Sequence, residues 1–327
     1  MNDMVTMDHG LTLRAARWED IDAIAEMVLV VLTADDDAVS AFSAQELAIF
    51  WKSDGFSHET DSWVVTTSDG RIVGYEEFEH RQAHAYFNGD GYVHPDFRGR
   101  GIGSAMLFAL DERAGREMRL AEPDLRVYLR AGTSGHDAHA RSMFEEAGYR
   151  VVRYHWIMQI DMTEAPRQKP FPEGIELRPF EKETQAYLVF QAEDESFQDH
   201  WGHVPGHFEN WKMRKLEREA FDPALWHIAW DGDQIAGFSQ TRFRNGIGWI
   251  GTLSVRRPWR QRGLGEVLLL HSFNEFHKRG MMRIGLNVDA SNPTGATRLY
   301  QKVGMHVAVE DIIVEKEYRA GREIAVE

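Results

Sequence analysis

The chain is one unit written twice, and this duplication limits its fold more than any local pattern does. Three pairs of segments carry it. Gly10-Leu11-Thr12-Leu13-Arg14 returns as Gly174-Ile175-Glu176-Leu177-Arg178, at an offset of 164 residues. The segment VHPDFRGRGIGSAML at 93–107 returns as VRRPWRQRGLGEVLL at 255–269, and the first arginine of the shared spacing moves by 162, from Arg98 to Arg260. AHARSMFEEAGY at 138–149 returns as TGATRLYQKVGM at 294–305, where Gly148 matches Gly304 at an offset of 156. Similar offsets in an unchanged order predict two homologous domains whose loops differ by a few residues. Between them, residues 161–174 carry Pro166, Pro170 and Pro172 and read as a stiffened, exposed connector. The expected boundary lies near Gln168, giving an N-terminal domain over residues 1–167 and a C-terminal domain over 168–327. A length of 327 residues is enough for two full cores.

Within each copy, runs such as Ser62-Trp63-Val64-Val65-Thr66 and Trp226-His227-Ile228-Ala229-Trp230 read as strands. Turns at Ser68-Asp69-Gly70 and Asp231-Gly232-Asp233, then further strands at 72–78 and 235–240, predict hairpins. The opening half of each copy is therefore expected to be antiparallel. A helix should follow the glycine loop, running from Leu264 to Lys278-Arg279 and stopped by Gly280. A strand at 283–288 and a second helix complete an α/β unit with some parallel pairing.

Composition removes several function classes. With 37 basic against 52 acidic residues, the net charge of −15 is a poor match for nucleic acid, which needs clustered Lys and Arg. The absence of cysteine excludes disulfides, thiolate metal sites and a cysteine nucleophile. The opening MNDMVTMDHG has no basic start or apolar run, and no stretch approaches the roughly 20 apolar residues of a membrane span, so a cytoplasmic location is expected. Fifteen histidines do not predict a metal site, because His80 and His84 sit in a strand and turn with no third ligand in a recognisable motif. The tryptophans read mainly as core, with Trp201 and Trp249 as candidate substrate walls.

The glycine loops carry the chemistry. Arg260-Gln261-Arg262-Gly263-Leu264-Gly265, between a strand ending at Val255 and a helix, leaves backbone N–H groups free at the helix start. Glycine lets phosphate oxygens reach that backbone, and the arginines add positive charge, so pyrophosphate is the expected guest. RxxGxG is neither GxGxxG nor a P-loop ending in GK[ST], and neither nucleotide family is supported. Arg98-Gly99-Arg100-Gly101-Ile102-Gly103, after Val93-His94-Pro95, repeats the pattern.

With both loops in place the sequence resembles the GNAT superfamily of N-acetyltransferases, and in its two-domain form the mycothiol-synthase type. The family motif is [RQ]xxG-x-[GA] after a strand with a V-x-P-like lead; here the second copy has its proline one place later, at Pro258. The resemblance implies a mixed α/β fold of two tandem domains, each a mostly antiparallel, splayed sheet flanked by helices. It also implies acetyl-coenzyme A as cofactor, with the loop amides on the pyrophosphate and the splayed strands, at Val93 and at Leu253-Ser254-Val255, along the pantetheine arm. Backbone amides near Leu253 to Val255 would polarise the thioester carbonyl.

Acyl transfer to an amine needs a neutral amine, a polarised carbonyl and a proton for the departing thiolate. Residues 292–304 look like the GNAT motif N-x-x-x-A-x-x-L-Y-x-x-x-G, which makes Tyr300 the general acid and Asn292 a coenzyme A contact. The aligned residues of the first copy are Phe144 and His136, so the N-terminal domain is expected not to catalyse. The C-terminal strand at 246–255 has no Asp or Glu, and Trp249 stands where the mycothiol-synthase type places a carboxylate. The remaining base candidates are Glu193, Asp194, Asp199, His200 and His203 in EDESFQDHWGH, a water chain to one of them, or direct binding of the neutral amine. This acidic segment also reads as a solvated helix end; as a substrate loop it would attract an ammonium. The expected function is transfer of acetyl from acetyl-coenzyme A to a small-molecule primary amine, by a monomer or homodimer. The alternatives are a peptide or protein N-terminus or an antibiotic amine as acceptor, or a coenzyme A-binding sensor or scaffold without turnover.

Overall fold

The computed structural model describes all residues except 1–4, 82, 199–200, 202–205, 218–220, 293 and 324–327. The first copy runs β1 (Val5–Thr6), β2 (Thr12–Ala15), α1 (Ile21–Ala34), α2 (Ala44–Trp51), α3 (His58–Asp61), β3 (Ser62–Thr66), β4 (Ile72–Arg81), β5 (Tyr86–Val93), α4 (Ile102–Glu117), β6 (Val127–Ser134), α5 (Ala138–Glu146) and β7 (Arg150–Asp161). The second runs β8 (Ile175–Arg178), α6 (Lys182–Phe197), α7 (Phe208–Leu216), β9 (Trp226–Asp231), β10 (Gln234–Arg244), β11 (Ile247–Val255), α8 (Leu264–Lys278), β12 (Arg283–Asp289), α9 (Ala296–Lys302) and β13 (His306–Arg319).

The compact units are not cut where the copies join. One unit is Met1–Tyr154 with Asp311–Glu327, and the other is His155–Glu310. The long strands β7 and β13 each pass from one unit into the other. In the first unit the strands are ordered β1-β2-β3-β4-β5-β6 and end on residues 311–319 of β13, which pair antiparallel with β6. In the second the order is β8-β9-β10-β11-β12, ending on residues 155–161 of β7, antiparallel to β12. The last strand of each copy thus completes the sheet of the other unit.

Both expected hairpins form, with Gly70 and Gly232 in the left-handed region at φ 87° and 56°. Within each unit the named strands pair antiparallel among the described residues, except for β5 with β6 and β11 with β12, the two crossovers made through α4 and α8. In the first unit Ile24, Val28, Leu47 and Trp51 of α1 and α2 pack with Val64 and Tyr75. Leu107 and Leu110 of α4 and Phe144 of α5 pack with Phe78, Phe87, Leu129 and Ile312. In the second, Val189 and Leu216 of α6 and α7 join Trp226, Ile228 and Phe238, while Leu269, Phe273 and Phe276 of α8 join Ile250, Ile284 and Met158. Each such side chain removed from water contributes about 1.5–3 kcal/mol. A Cβ at Gly248 would lie 2.8 Å from the Phe276 ring, so glycine there lets α8 lie close on β11.

Candidate active site

Strands β11 and β12 pair only at Gly248, Trp249 and Ile250; from Gly251 to Val255 the first has left its parallel neighbour. The other edge of β11 stays paired with β10 up to Val255, across a bulge at Gln240/Thr241. The result is a V that opens toward the glycine loop. In the first unit β5 pairs with β6 from Tyr86 to Gly89 and then parts from it in the same way.

Each V leads to a loop of the same backbone shape. Gly263 is left-handed at φ 82° and caps α8 with no side-chain hydrogen bond, and Gly101 does the same for α4 at φ 76°. Two residues earlier Gln261 (φ 63°) takes the conformation that glycine takes at Gly99 (φ 74°). The N–H groups of Leu264, Gly265 and Glu266, and of Ile102, Gly103 and Ser104, begin their helices without intrahelical acceptors. A Cβ at Gly99 or Gly101 would meet nothing within 4 Å, so the approach to these donors is open. The Ser254 hydroxyl, on the splayed part of β11, is buried with no hydrogen-bond partner. Orphan donors at the helix start, a buried hydroxyl without a partner and an opened strand edge together fit a long ligand with a pyrophosphate. The arginines are less available than their charge suggests. Arg260 Nε donates to Val255 O (3.0 Å), Arg262 to Glu173 O (3.0 Å), and Arg98 grips Asp35 through two bonds of 3.0 and 2.7 Å. Arg100 lies over the Phe97 ring, 4.6 Å from its centroid.

Tyr300 of α9 is buried in the same cluster as Ile250 and Leu286, and Leu253 packs against that cluster. Burial raises its phenol to about 12, so it keeps its proton at neutral pH. Phe144, at the matching place, packs edge-on against Tyr149 at 5.3 Å between centroids. Asn292 turns inward on its own loop: its Oδ1 accepts from the Thr294 N–H (2.9 Å) and hydroxyl (2.5 Å), shaping the turn into α9.

The acidic segment 193–203 is not a loop after the first helix as expected, since its first five residues, 193–197, are the end of α6, and it is only partly brought to the V. Glu193 is committed: its oxygens accept from Lys215 Nζ (2.6 Å), Trp211 Nε1 (3.0 Å) and Gln240 Nε2 (2.9 Å). Lys215 also donates to Gln240 Oε1 (2.6 Å) and to Thr252 Oγ1 (2.9 Å), so an ammonium sits in a cage of three oxygens beside the splayed strand. Asp194 accepts from Gly206 N at 3.1 Å. Asp199, His200 and His203 lie outside the described residues, and Trp201 is exposed. Trp249 is buried against Gly285 in the paired part of β11, ahead of the V.

Two features escape the sequence reading. The connector is not simply exposed: Arg167 (2.6 Å) and Lys169 (2.9 Å) bond Glu266, which Lys302 of α9 also reaches at 2.7 Å. Bonds from Lys302 and Lys169 pull the Glu266 carboxyl down to about 2. Lys169 Nζ stands 3.7 Å from where a Cβ of Gly263 would be, adding a cation to the loop. In the first unit the neighbouring strands β4 and β5 bring Glu77 opposite Asp90. Tyr75 donates to Glu77 and Tyr92 to Asp90 (2.7 Å), and burial raises the Asp90 carboxyl to about 6. Glu76, buried on the other face, is raised well above the carboxylate range, first by burial and then by Asp90.

The comparisons with known proteins agree with this geometry. A profile described as "Acetyltransferase (GNAT) family" matches residues 180–305, and one described as "Acetyltransferase (GNAT) domain" matches 59–151. A mycothiol acetyltransferase of Thermobispora bispora is 30% identical over 70% of this chain and 76% of its own length. The chain belongs to the GNAT acetyltransferase family. A second mycothiol acetyltransferase, from Nocardiopsis dassonvillei, is 26% identical over 90% of this chain and 94% of its own. A crystal structure of a GCN5-related N-acetyltransferase from Sphaerobacter thermophilus matches with a TM-score of 0.80 and 33% identity, covering 98% of this chain and 100% of that one. A tandem GNAT protein from the clavulanic acid biosynthesis pathway has the same fold, with a TM-score of 0.71 at 16% identity, covering 95% of this chain and 100% of that one. This GNAT acetyltransferase is thus a tandem one, and acetyl-coenzyme A is its acyl donor. No helix among the described residues is long and apolar enough to cross a membrane.

Proposed function

We propose that the second unit transfers an acetyl group from acetyl-coenzyme A directly to the primary amine of a small molecule, with Tyr300 as general acid. The observation that carries this reading is the meeting, in one unit, of an open V, an uncapped helix behind Gly263 and a buried phenol held in its protonated form. When bound, acetyl-coenzyme A supplies an activated acyl group and a thiolate leaving group. The N–H groups of Leu264, Gly265 and Glu266 hold the pyrophosphate, and Lys169 adds charge beside Gly263. Backbone groups at 251–255, with the Ser254 hydroxyl, align the pantetheine and polarise the carbonyl. Tyr300 Oη would hold the proton that the departing thiolate takes up, and the proton released by the acylated nitrogen would restore the phenol. No carboxylate lies on β11 and Glu193 is neutralised by Lys215, so the amine is captured in its neutral form. The name shared by the curated relatives makes an amine of the mycothiol pathway the first acceptor to try, with Trp249 in the carboxylate's place as the reason to screen others.

The two copies join near Gln168 in this reading, and the first serves as partner to the active unit. One observation favours a second reading with chemistry in the first unit: Asp90, raised to about 6, lies on the splayed end of β5 and has the base that β11 lacks. Calorimetric titration with acetyl-coenzyme A, followed by an amine screen that detects free thiol, separates the two. Gly263→Val should remove one site and all turnover, while Gly101→Val should remove any other site and leave turnover in place. Turnover lost with Gly101→Val and kept with Gly263→Val exchanges the roles of the units. Absence of binding to the cofactor-free protein defeats both readings.

A further inference from the structure

Away from both loops, the far end of α4 gathers a set of donors that acetyl transfer does not use. Glu117 is the last residue of this 16-residue helix, about 22 Å from its start at 1.5 Å per residue, and is only 5% exposed. His80 lies near the end of β4 and His84 in the turn before β5. Nδ1 of His80 is 3.7 Å from Glu117 Oε1, and Nδ1 of His84 shares a hydrogen bond with the same oxygen. All three donor atoms lie within 4.8 Å of one another, and the imidazoles stack at 5.0 Å between centroids.

The surroundings hold this arrangement in place. Arg113 Nη1 takes the other Glu117 oxygen at 2.5 Å, while its Nε is tied to Asp61 at 2.7 Å, so Oε1 is left to face the histidines. A carboxylate oriented by a partner behind it is a regular companion of metal ligands. Ala83 (φ 48°) and His84 (φ 62°) are both left-handed, and in this turn His84 lies against Glu117. A Cβ at Gly55 would lie 3.3 Å from His80 Cε1 and 3.4 Å from its Nε2, close on that edge of the ring.

We propose that His80, His84 and Glu117 form a divalent-cation site that takes Zn2+. Two imidazole nitrogens and one carboxylate oxygen are the donors of a three-ligand zinc site, whose bonds of about 2.0 Å set the donors roughly 3.3 Å apart. Imidazole suits zinc, copper and nickel and disfavours magnesium and calcium. The His84 side chain is 38% exposed, so the fourth position opens to water and the ion exchanges. Bound zinc pins the β4–β5 turn to the end of α4 and thereby stabilises the first unit.

The test uses the full chain, stripped with a chelator and desalted. Titration with Zn2+ against a chromophoric competitor should show one tight equivalent and raise Tm, and Co2+ should give the visible bands of a low-coordinate site. His84→Ala and His80→Ala should each weaken the equivalent at least about tenfold and abolish the Tm rise, while His277→Ala, a half-buried residue in the last turn of α8, should do neither. Circular dichroism checks the fold of each variant, and Glu117→Gln, which keeps the side-chain volume, gives a third reading. Failure of the wild type to take one saturable equivalent overturns the site. So does an equivalent retained in a folded His80→Ala, His84→Ala double variant, which would place the ion on other histidines.

Discussion

Lys169 Nζ lies 2.9 Å from Glu266 Oε2, so a residue of the proline-rich connector is fastened to the third residue of the helix that opens behind the glycine loop. Lys302 and Arg167 hold the same carboxylate, and three cations on one anion leave the mouth of the loop positive. Lys169→Ala should therefore weaken acetyl-coenzyme A binding about fivefold to tenfold at low ionic strength, with a difference that shrinks as salt is added. Calorimetry at two salt concentrations reads it. An unchanged Kd at low salt would confine Lys169 to tethering the connector.

Tyr300 has a phenol raised to about 12 by burial alone, so it is a proton donor across the neutral range and never a base. Tyr300→Phe should leave the acetyl-coenzyme A affinity in place and lower kcat at least about tenfold. The loss should be smaller with an acyl donor whose leaving group is more acidic, since such a thiolate needs less help. Equal turnover in the two proteins removes the acid role.

The residues show why some of this was legible in the sequence and some was not. RxxGxG, read twice, located both loops, because left-handed backbone at a helix start favours glycine and the motif records that need at Gly101 and Gly263. Gln261 shows the limit: it adopts the same conformation as Gly99 without announcing it. The exchange of last strands was invisible, since Tyr154 and His155 fall inside one continuous strand and no turn marks the passage between units. Pairings across long separations were equally hidden. Arg167 is 99 residues from Glu266, and His84 is 33 from Glu117. Spacing rules reach only one or two turns of a helix, so the third ligand beside His80 and His84 had no signature. The Glu77 and Asp90 pair was missed because alternation tells which face a residue takes but not which strand will lie next to it.

Asp90 has a measurable consequence for stability. Burial raises its folded value to about 6 from an ordinary 3.8. Between those values the folded chain holds more protons than the unfolded one, so the contribution of Asp90 to stability falls as pH rises through this window and stays unfavourable above it. Asp90→Asn should therefore melt higher than wild type at pH 8, with the gap closing toward pH 4, and the Tyr92 hydroxyl can still donate to the amide oxygen. A Tm difference that stays constant over that range would mean the carboxyl is not raised.

His227 in the second unit should show the opposite slope. It is buried beneath α8 with Nδ1 3.1 Å from Ser272 Oγ, and that hydroxyl lies 2.9 Å from Ser239 Oγ. Burial, then the neighbouring His271 ring at 4.7 Å, pulls its value down from 6.5 to about 3. The unfolded chain therefore binds the extra proton anywhere between pH 6.5 and 3. The contribution of neutral His227 is complete above pH 6.5 and is lost as the pH falls through this window. His227→Gln keeps a polar group near Ser272 but cannot take up a proton on unfolding. It should cost some stability at pH 8, because a buried hydrogen bond is disturbed, and recover relative to wild type at pH 4. Melting curves of the two proteins at these pH values decide the matter, and parallel Tm profiles would show that His227 is protonated, or hydrated, in the folded chain.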